Sequence, residues 1–113
     1  MIDQIQPAQL ADWITTKASF GQTVVLDVRE AWEIQTASVK AQGFVLQEIP
    51  MHTLPARLNE LSREQPIACL CHHGGRSMQV AAFLAQQGFS HVANIAGGIN
   101  AWSAQIDPSV PRY

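Results

Sequence analysis

Five consecutive apolar residues, Ile67 to Cys71, run straight into His72-His73-Gly74-Gly75. An unbroken apolar run of this length suits a strand covered on both faces in a parallel sheet. The two glycines permit positive φ and a tight curl. From Arg76 the pattern turns helical. Met78, Val80, Ala81, Ala82, Phe83, Leu84 and Ala85 leave only Gln79, Gln86 and Gln87 as a thin polar stripe, which predicts a mostly buried helix. Strand, short loop, helix, with a thiol as the last residue of the strand, is the unit the rest of the chain is built to hold.

A thiol in this position faces the amides of the loop and the first turn of the next helix. Free N–H groups and the helix dipole favour an anion there. The dipole alone contributes up to ~2 kcal/mol, so Cys71 is biased towards its thiolate. Arg76 opposes the dipole and is a poor choice for helix stability, but a good one where the loop must hold an anion. The surrounding charge agrees. No Asp or Glu occurs between Gln65 and Ile106, and residues 1–64 hold eight of the nine acids. Arg76, His72, His73 and His91 therefore have no carboxylate near them in sequence.

Cys69 reads as inert core, since it lies inside the apolar run with apolar neighbours on both sides. A zinc site is not expected. Cys-x-Cys-His-His is too compact for a tetrahedral ligand set, and no second Cys or His cluster completes one. The glycine turn lacks the Lys-Ser/Thr ending of a phosphate-binding P-loop. Two cysteines at i and i+2 on one strand do not readily bridge, so no disulfide framework is implied.

The remaining chain supplies the neighbours such a strand requires. Ile2–Ile5 reads as a short edge strand. Pro7 opens a helix in its favoured early position, and Leu10, Trp13 and Ile14 form its core-facing stripe. Thr23–Val28 is a second apolar strand. It ends in Asp27-Val28-Arg29-Glu30, followed by Ala31-Trp32-Glu33. Ligand sites in parallel sheets lie beyond the carboxyl ends of the strands, so this run and Cys71 share one edge of the sheet. Asp27, Arg29 and Glu30 are candidates to brace the loop through hydrogen bonds and charge pairs. The bracing reading is favoured for Asp27. Arg29 and Glu30 stand equally well as a solvated pair contributing under ~1 kcal/mol.

A short strand is expected near Phe44–Leu46. His52-Thr53-Leu54-Pro55 leads into a short helix through Leu58 and Leu61, with Thr53 as its cap. Gly88 suits the position just past the main helix. Val92–Ile95 is the last strand, and Gly97-Gly98 permits a sharp turn into a helix whose Trp102 closes the core. Asp107–Tyr113 contains two prolines and is expected to run extended. Strands alternate with helices, which gives an α/β fold with a mainly parallel central sheet flanked by helices. The expected organisation is one domain over residues 1–113, with residues 105–113 as an extended tail.

With 113 residues, 47% of them apolar and 14% charged, the chain can close a single core. A net charge of −2 gives no support for nucleic-acid binding. Met1-Ile2-Asp3-Gln4 has neither a basic end nor an apolar stretch of a signal peptide, and no apolar run approaches a membrane span. A cytoplasmic location, where a thiolate stays usable, is the expectation.

Cys71-His72-His73-Gly74-Gly75-Arg76-Ser77 resembles the active-site loop of rhodanese-like single-domain sulfurtransferases. In that family a catalytic cysteine ends a central strand and a six-residue loop follows, matching Cys71 to Arg76. Related cysteine phosphatases and arsenate reductases carry one residue more. The run Asp27-Val28-Arg29-Glu30 with Glu33 three residues on, and Gly97-Gly98-Ile99-Asn100-Ala101-Trp102, resemble two further motifs of the family, in the expected order. The stretch Ser38–Pro50 departs from the family's Gly-His-Ile-Pro-Gly-Ala run and keeps only Ile49-Pro50.

The resemblance implies a Cys71 persulfide that moves sulfur from a small anionic donor such as thiosulfate to cyanide or a thiol. Loop residues His72, His73, Gly74, Gly75, Arg76 and Ser77 would bind the donor, and no metal or organic cofactor is needed. A module loaded by a protein persulfide donor, or one that only binds proteins, is the alternative from outside free-standing enzymes. A phosphatase or arsenate reductase fits the short loop less well. Neither nucleic acid nor membrane is expected as a partner.

Overall fold

The computed structural model describes residues 2–113. Five parallel strands form one sheet: β1 (Ile2–Ile5), β2 (Val24–Asp27), β3 (Val45–Glu48), β4 (Ile67–Leu70) and β5 (Val92–Ile95), in the spatial order β1-β5-β4-β2-β3. Every pairing is parallel, so the expected mainly parallel sheet is here wholly so. The apolar run of β4 takes the central place that its composition demands, and all four of its residues are buried.

Alternation along the strands feeds two cores. Val25, Ala68, Leu70 and Ile95 face one side, where they meet Leu10 and Trp13 of α1 (Leu10–Lys17) and Ile99 and Trp102 of α4 (Gly98–Gln105). Val24, Leu26, Ile67 and Cys69 face the other, against Val80, Ala81 and Leu84 of α3 (Gly75–Gln86). Each fully buried Val, Leu or Ile stabilises the fold by about 1.5–3 kcal/mol relative to exposure. Helix α3 leaves Gln79, Gln86 and Gln87 exposed, as its polar stripe predicts. It ends in a Schellman turn: Phe89 N–H donates to Leu84 O at 3.1 Å and Gly88, at φ 90°, donates to Ala85 O at 3.2 Å.

Three local expectations are corrected. The strand after Phe44 runs Val45–Glu48, one to two residues later than Phe44–Leu46. The segment around Pro55 is a ten-residue 3₁₀ helix, Met51–Glu60, and Thr53 lies inside it. Its hydroxyl donates back to Pro50 O at 2.9 Å, so it does not cap the start. The chain after α4 does not stay extended either. Asp107 accepts from Val110 N–H at 3.1 Å, Val110 is buried, and Ser103 Oγ donates to Val110 O at 2.7 Å. That turn brings Tyr113 back over the end of β4.

Candidate functional site

Cys71 is the first residue beyond β4, where the backbone leaves the sheet's hydrogen-bond ladder. The next residues curl so that their amides point inward. Gly74 N–H donates to Cys71 Sγ at 3.1 Å and Ser77 N–H at 3.3 Å, with Ser77 Oγ also at 3.3 Å. Gly74 makes the curl at φ 107°, a conformation L side chains rarely adopt, and a Cβ there would stand 3.1 Å from Gly97 N. Gly75 has no such need. It is the first residue of α3, with open space around it.

Helix α4 buttresses the loop from behind. Ile99 N–H donates to Cys71 O at 2.8 Å and Asn100 N–H to His72 O at 3.2 Å. A Cβ on Gly98 would collide with both of those carbonyls, which is the physical reason for glycine in Gly97-Gly98. The first turn of one helix thus carries the loop's carbonyls while the loop's amides remain free for the sulfur.

The charge around the loop differs from the carboxylate-poor surroundings its sequence neighbourhood suggests. Glu33, in α2 (Ala31–Thr36), folds onto Arg76 and accepts from Nη1 at 2.6 Å and Nη2 at 2.7 Å. These bonds hold the Glu33 carboxyl at about 2, below its ordinary 4.5, with Tyr113 OH adding a further donor at 2.7 Å. Sequence reasoning places Glu33 in the motif that begins at Asp27 but misses its pairing with Arg76. The available signal was its position in the Asp27–Glu33 run, on the edge of the sheet shared with Cys71.

Arg29 is not solvated. It is fully buried, with Nε on Asp27 Oδ1 at 2.9 Å and Nη2 on Asp27 Oδ2 at 2.6 Å. Its Nη1 reaches Glu33 O and Tyr113 OH at 3.2 and 3.1 Å. Asp27 and Arg29 thus form the buried foundation under Glu33, and through it under Arg76. Glu30 sits apart. It caps α2 in a reciprocal box with Glu33, half-exposed, 3.6 Å from His52 Nδ1.

His72 lies between two rings, 3.8 Å from His73 and 3.9 Å from Tyr113 between centroids. Burial pushes the His72 imidazole down, and His73 adds to the effect. Its Nε2 is buried without a hydrogen-bond partner among the described residues. His73 is exposed. Cys71 itself is only 1% exposed: the sulfur lies at the floor of the loop. Beside Arg76 a cleft of about 290 Å³ opens between Val28, Met51, His52 and Pro55. A larger groove of about 370 Å³, lined by Leu10, Phe44 and Trp102 among others, belongs to the opposite side of the sheet and brings no reactive group.

A family model described as Rhodanese-like domain matches residues 7–105. A protein named Sulfurtransferase from Allochromatium vinosum is 32% identical over 112 residues, covering 97% of this chain and 96% of its own length. Rhodanese-like/PpiC domain-containing protein 12, chloroplastic, from Arabidopsis thaliana is 38% identical over 113 residues, 99% of this chain but only 38% of that protein. The crystal structure of a rhodanese-like domain protein from Staphylococcus aureus superposes with a TM-score of 0.76 at 23% identity, covering 99% of each chain, and so shares the fold. The chain belongs to the rhodanese-like domain family.

Proposed function

We propose that this protein is a sulfurtransferase that carries sulfane sulfur on Cys71. The observation that supports this best is the pair of backbone donors, Gly74 and Ser77, aimed at a single buried sulfur. Donors fixed at that spot stabilise an anionic sulfur in the way an oxyanion hole stabilises developing negative charge. The Cys71 thiolate attacks the outer sulfur of thiosulfate. A new S–S bond forms as the donor's S–S bond breaks, and sulfite leaves with the electron pair. Cyanide or a thiol then attacks the outer sulfur of the persulfide and releases the Cys71 thiolate.

The rim supplies the recognition. The ion pair with Glu33 uses two of the five guanidinium donors of Arg76, which leaves the others for an anionic donor at the adjoining cleft. The orphaned Nε2 of His72 gains a partner when an oxygen of that anion arrives. His73 and Gly75 are the exposed residues of the loop and are placed to meet an incoming donor. Asp27 and Arg29 hold Glu33, and hence Arg76, in place; Glu30 contributes through the start of α2.

Mass spectrometry after thiosulfate treatment tests the reading. The expected product is one added sulfur on Cys71, removed by cyanide and absent in Cys71→Ser. No adduct, or an adduct on Cys69 alone, overturns it. A protein-loaded carrier differs by taking sulfur from a protein persulfide much faster than from thiosulfate. Turnover of an aryl phosphate, abolished by Cys71→Ser, would favour the phosphatase reading instead.

A further inference from the structure

Strand β5 reads Val92-Ala93-Asn94-Ile95, and its one polar side chain is buried, at 4% exposure, among apolar neighbours. An amide in such a place must be hydrogen-bonded, and an apolar residue would fill the same space without that demand. Asn94 Oδ1 accepts from Ser77 Oγ at 2.6 Å, while Nδ2 donates to Gln4 Oε1 at 3.0 Å and Gly74 O at 3.4 Å. Gln4, exposed on β1, turns its own Nε2 to Met78 Sδ at 2.7 Å. A continuous chain of polar groups therefore runs from the surface to Cys71 Sγ.

The Ser77 hydroxyl has one proton. Asn94 Oδ1 at 2.6 Å, Gly74 O at 3.2 Å and Cys71 Sγ at 3.3 Å compete for it. With the carbonyl of Asn94 turned towards it, the proton goes to Asn94. A hydroxyl lone pair then faces the sulfur and accepts a thiol S–H, which favours the protonated form. An anionic sulfur needs the reverse, with Ser77 donating to it as a third donor beside the two amides. That arrangement follows when Asn94 presents Nδ2 to Ser77. The turned Oδ1 then meets Gln4, gives up the long 3.4 Å bond to Gly74 O, and is satisfied only if Gln4 turns its Nε2 inward.

We propose that Gln4 and Asn94 are positioning residues that set the direction of the Ser77 hydroxyl and so decide whether Cys71 holds a proton or a negative charge. The inference rests on the reading of Cys71 as the nucleophile. The charged and titratable groups on the other elements around the sulfur are Cys69 beside it in the same cluster, His72 and His73 on the loop, and Arg76 on α3, with Glu33 of α2 and Tyr113 behind Arg76. Strand β5 carries no titratable residue, and Asp3 of β1 binds Trp13 Nε1 on the far side of the sheet. The relay is thus the neutral side of the site.

The test is the pH profile of Cys71 alkylation by iodoacetamide in the full chain. Gln4→Glu offers Asn94 Nδ2 a permanent acceptor, which keeps Oδ1 on Ser77; its profile is expected to move up by about one unit, tenfold in reactive thiolate at neutral pH. Gln4→Lys offers only donors and is expected to move the profile down. Both are surface substitutions, so folding is not at issue. Each is repeated in a Ser77→Ala background, where the relay is cut. Loss of both shifts there supports the inference. Shifts that persist unchanged there are through-space charge effects and overturn it, as does a wild-type profile in both single variants. Sulfur uptake from thiosulfate is read separately: the expected shifts without uptake would leave the relay standing and remove the sulfurtransferase reading.

Discussion

The middle of β4 and its end hold two sulfurs that burial does not distinguish. Cys69 is 0% exposed and Cys71 is 1% exposed, and both belong to the same apolar cluster. In the middle of the strand the backbone N–H groups are spent on the parallel ladders to β2 and β5. Burial therefore pushes the Cys69 thiol up, with the nearby Cys71 adding to it. At the end of the strand the ladder stops, the chain curls through Gly74, and the unpaired amides at the start of α3, those of Gly74 and Ser77, converge on Cys71. What distinguishes the two sites is the supply of unspent donors around the sulfur, since exposure to solvent is the same at both.

The largest effect that could break this comparison is all-or-none. Iodoacetamide at neutral pH should label Cys71 and leave Cys69 untouched until the protein unfolds, as read by peptide mapping. Cys69→Ala should keep the labelling of Cys71 and cost about 1–2 kcal/mol by denaturant titration, the range of a small buried truncation. Equal labelling of the two sulfurs in the folded protein would mean that backbone donors do not set the difference.

The next effect concerns the end of β2, where fixed charge does what backbone amides do beside it. Asp27 and Arg29 form a buried, doubly hydrogen-bonded ion pair beneath Glu33. Asp27→Ala strands the Arg29 charge without its partner and should cost about 3–5 kcal/mol in urea or thermal unfolding. Preferential labelling of Cys71 should survive in whatever fraction remains folded. Loss of that preference in folded protein would show that the cradle depends on the neighbouring charges.

These contrasts also explain what was legible in the sequence. The apolar runs of β2 and β4 and the glycines at Gly74 and Gly97-Gly98 are local signals, and local physics reads them: buried parallel strands and turns with little room for a side chain. The contacts between Glu33 and Arg76, 43 residues apart, and between Tyr113 and Glu33, 80 apart, depend on where β2 and β4 lie side by side. No periodicity encodes them. Arg29 could be read equally as solvated because its burial comes from α2 and Tyr113 closing over it, not from its own neighbours in sequence. Asn94 went unnoticed for the same reason, since its partners Gln4 and Ser77 come from other parts of the chain.

A smaller effect than that of Asp27→Ala sharpens the comparison by removing charge outside the loop while leaving the loop's amides alone. Glu33→Gln weakens the pair with Arg76, and the loss of charge-assisted hydrogen bonding should cost about 2 kcal/mol at pH 7. The Glu33 carboxyl is held at about 2 by Arg76 against an ordinary 4.5. A depressed carboxyl stabilises the fold fully above its unfolded value and loses that contribution as pH falls through its folded value. The stability gap between wild type and Glu33→Gln should therefore be constant above about pH 5.5, narrow between 4.5 and 2, and close below that window. Urea titrations at pH 7, 4 and 3 read it directly. A gap that does not change with pH would mean the carboxylate acts through packing alone. A gap that closes on schedule while Cys71 keeps its selective labelling places charge in the service of the scaffold, and leaves the sulfur to the neutral donors of the loop.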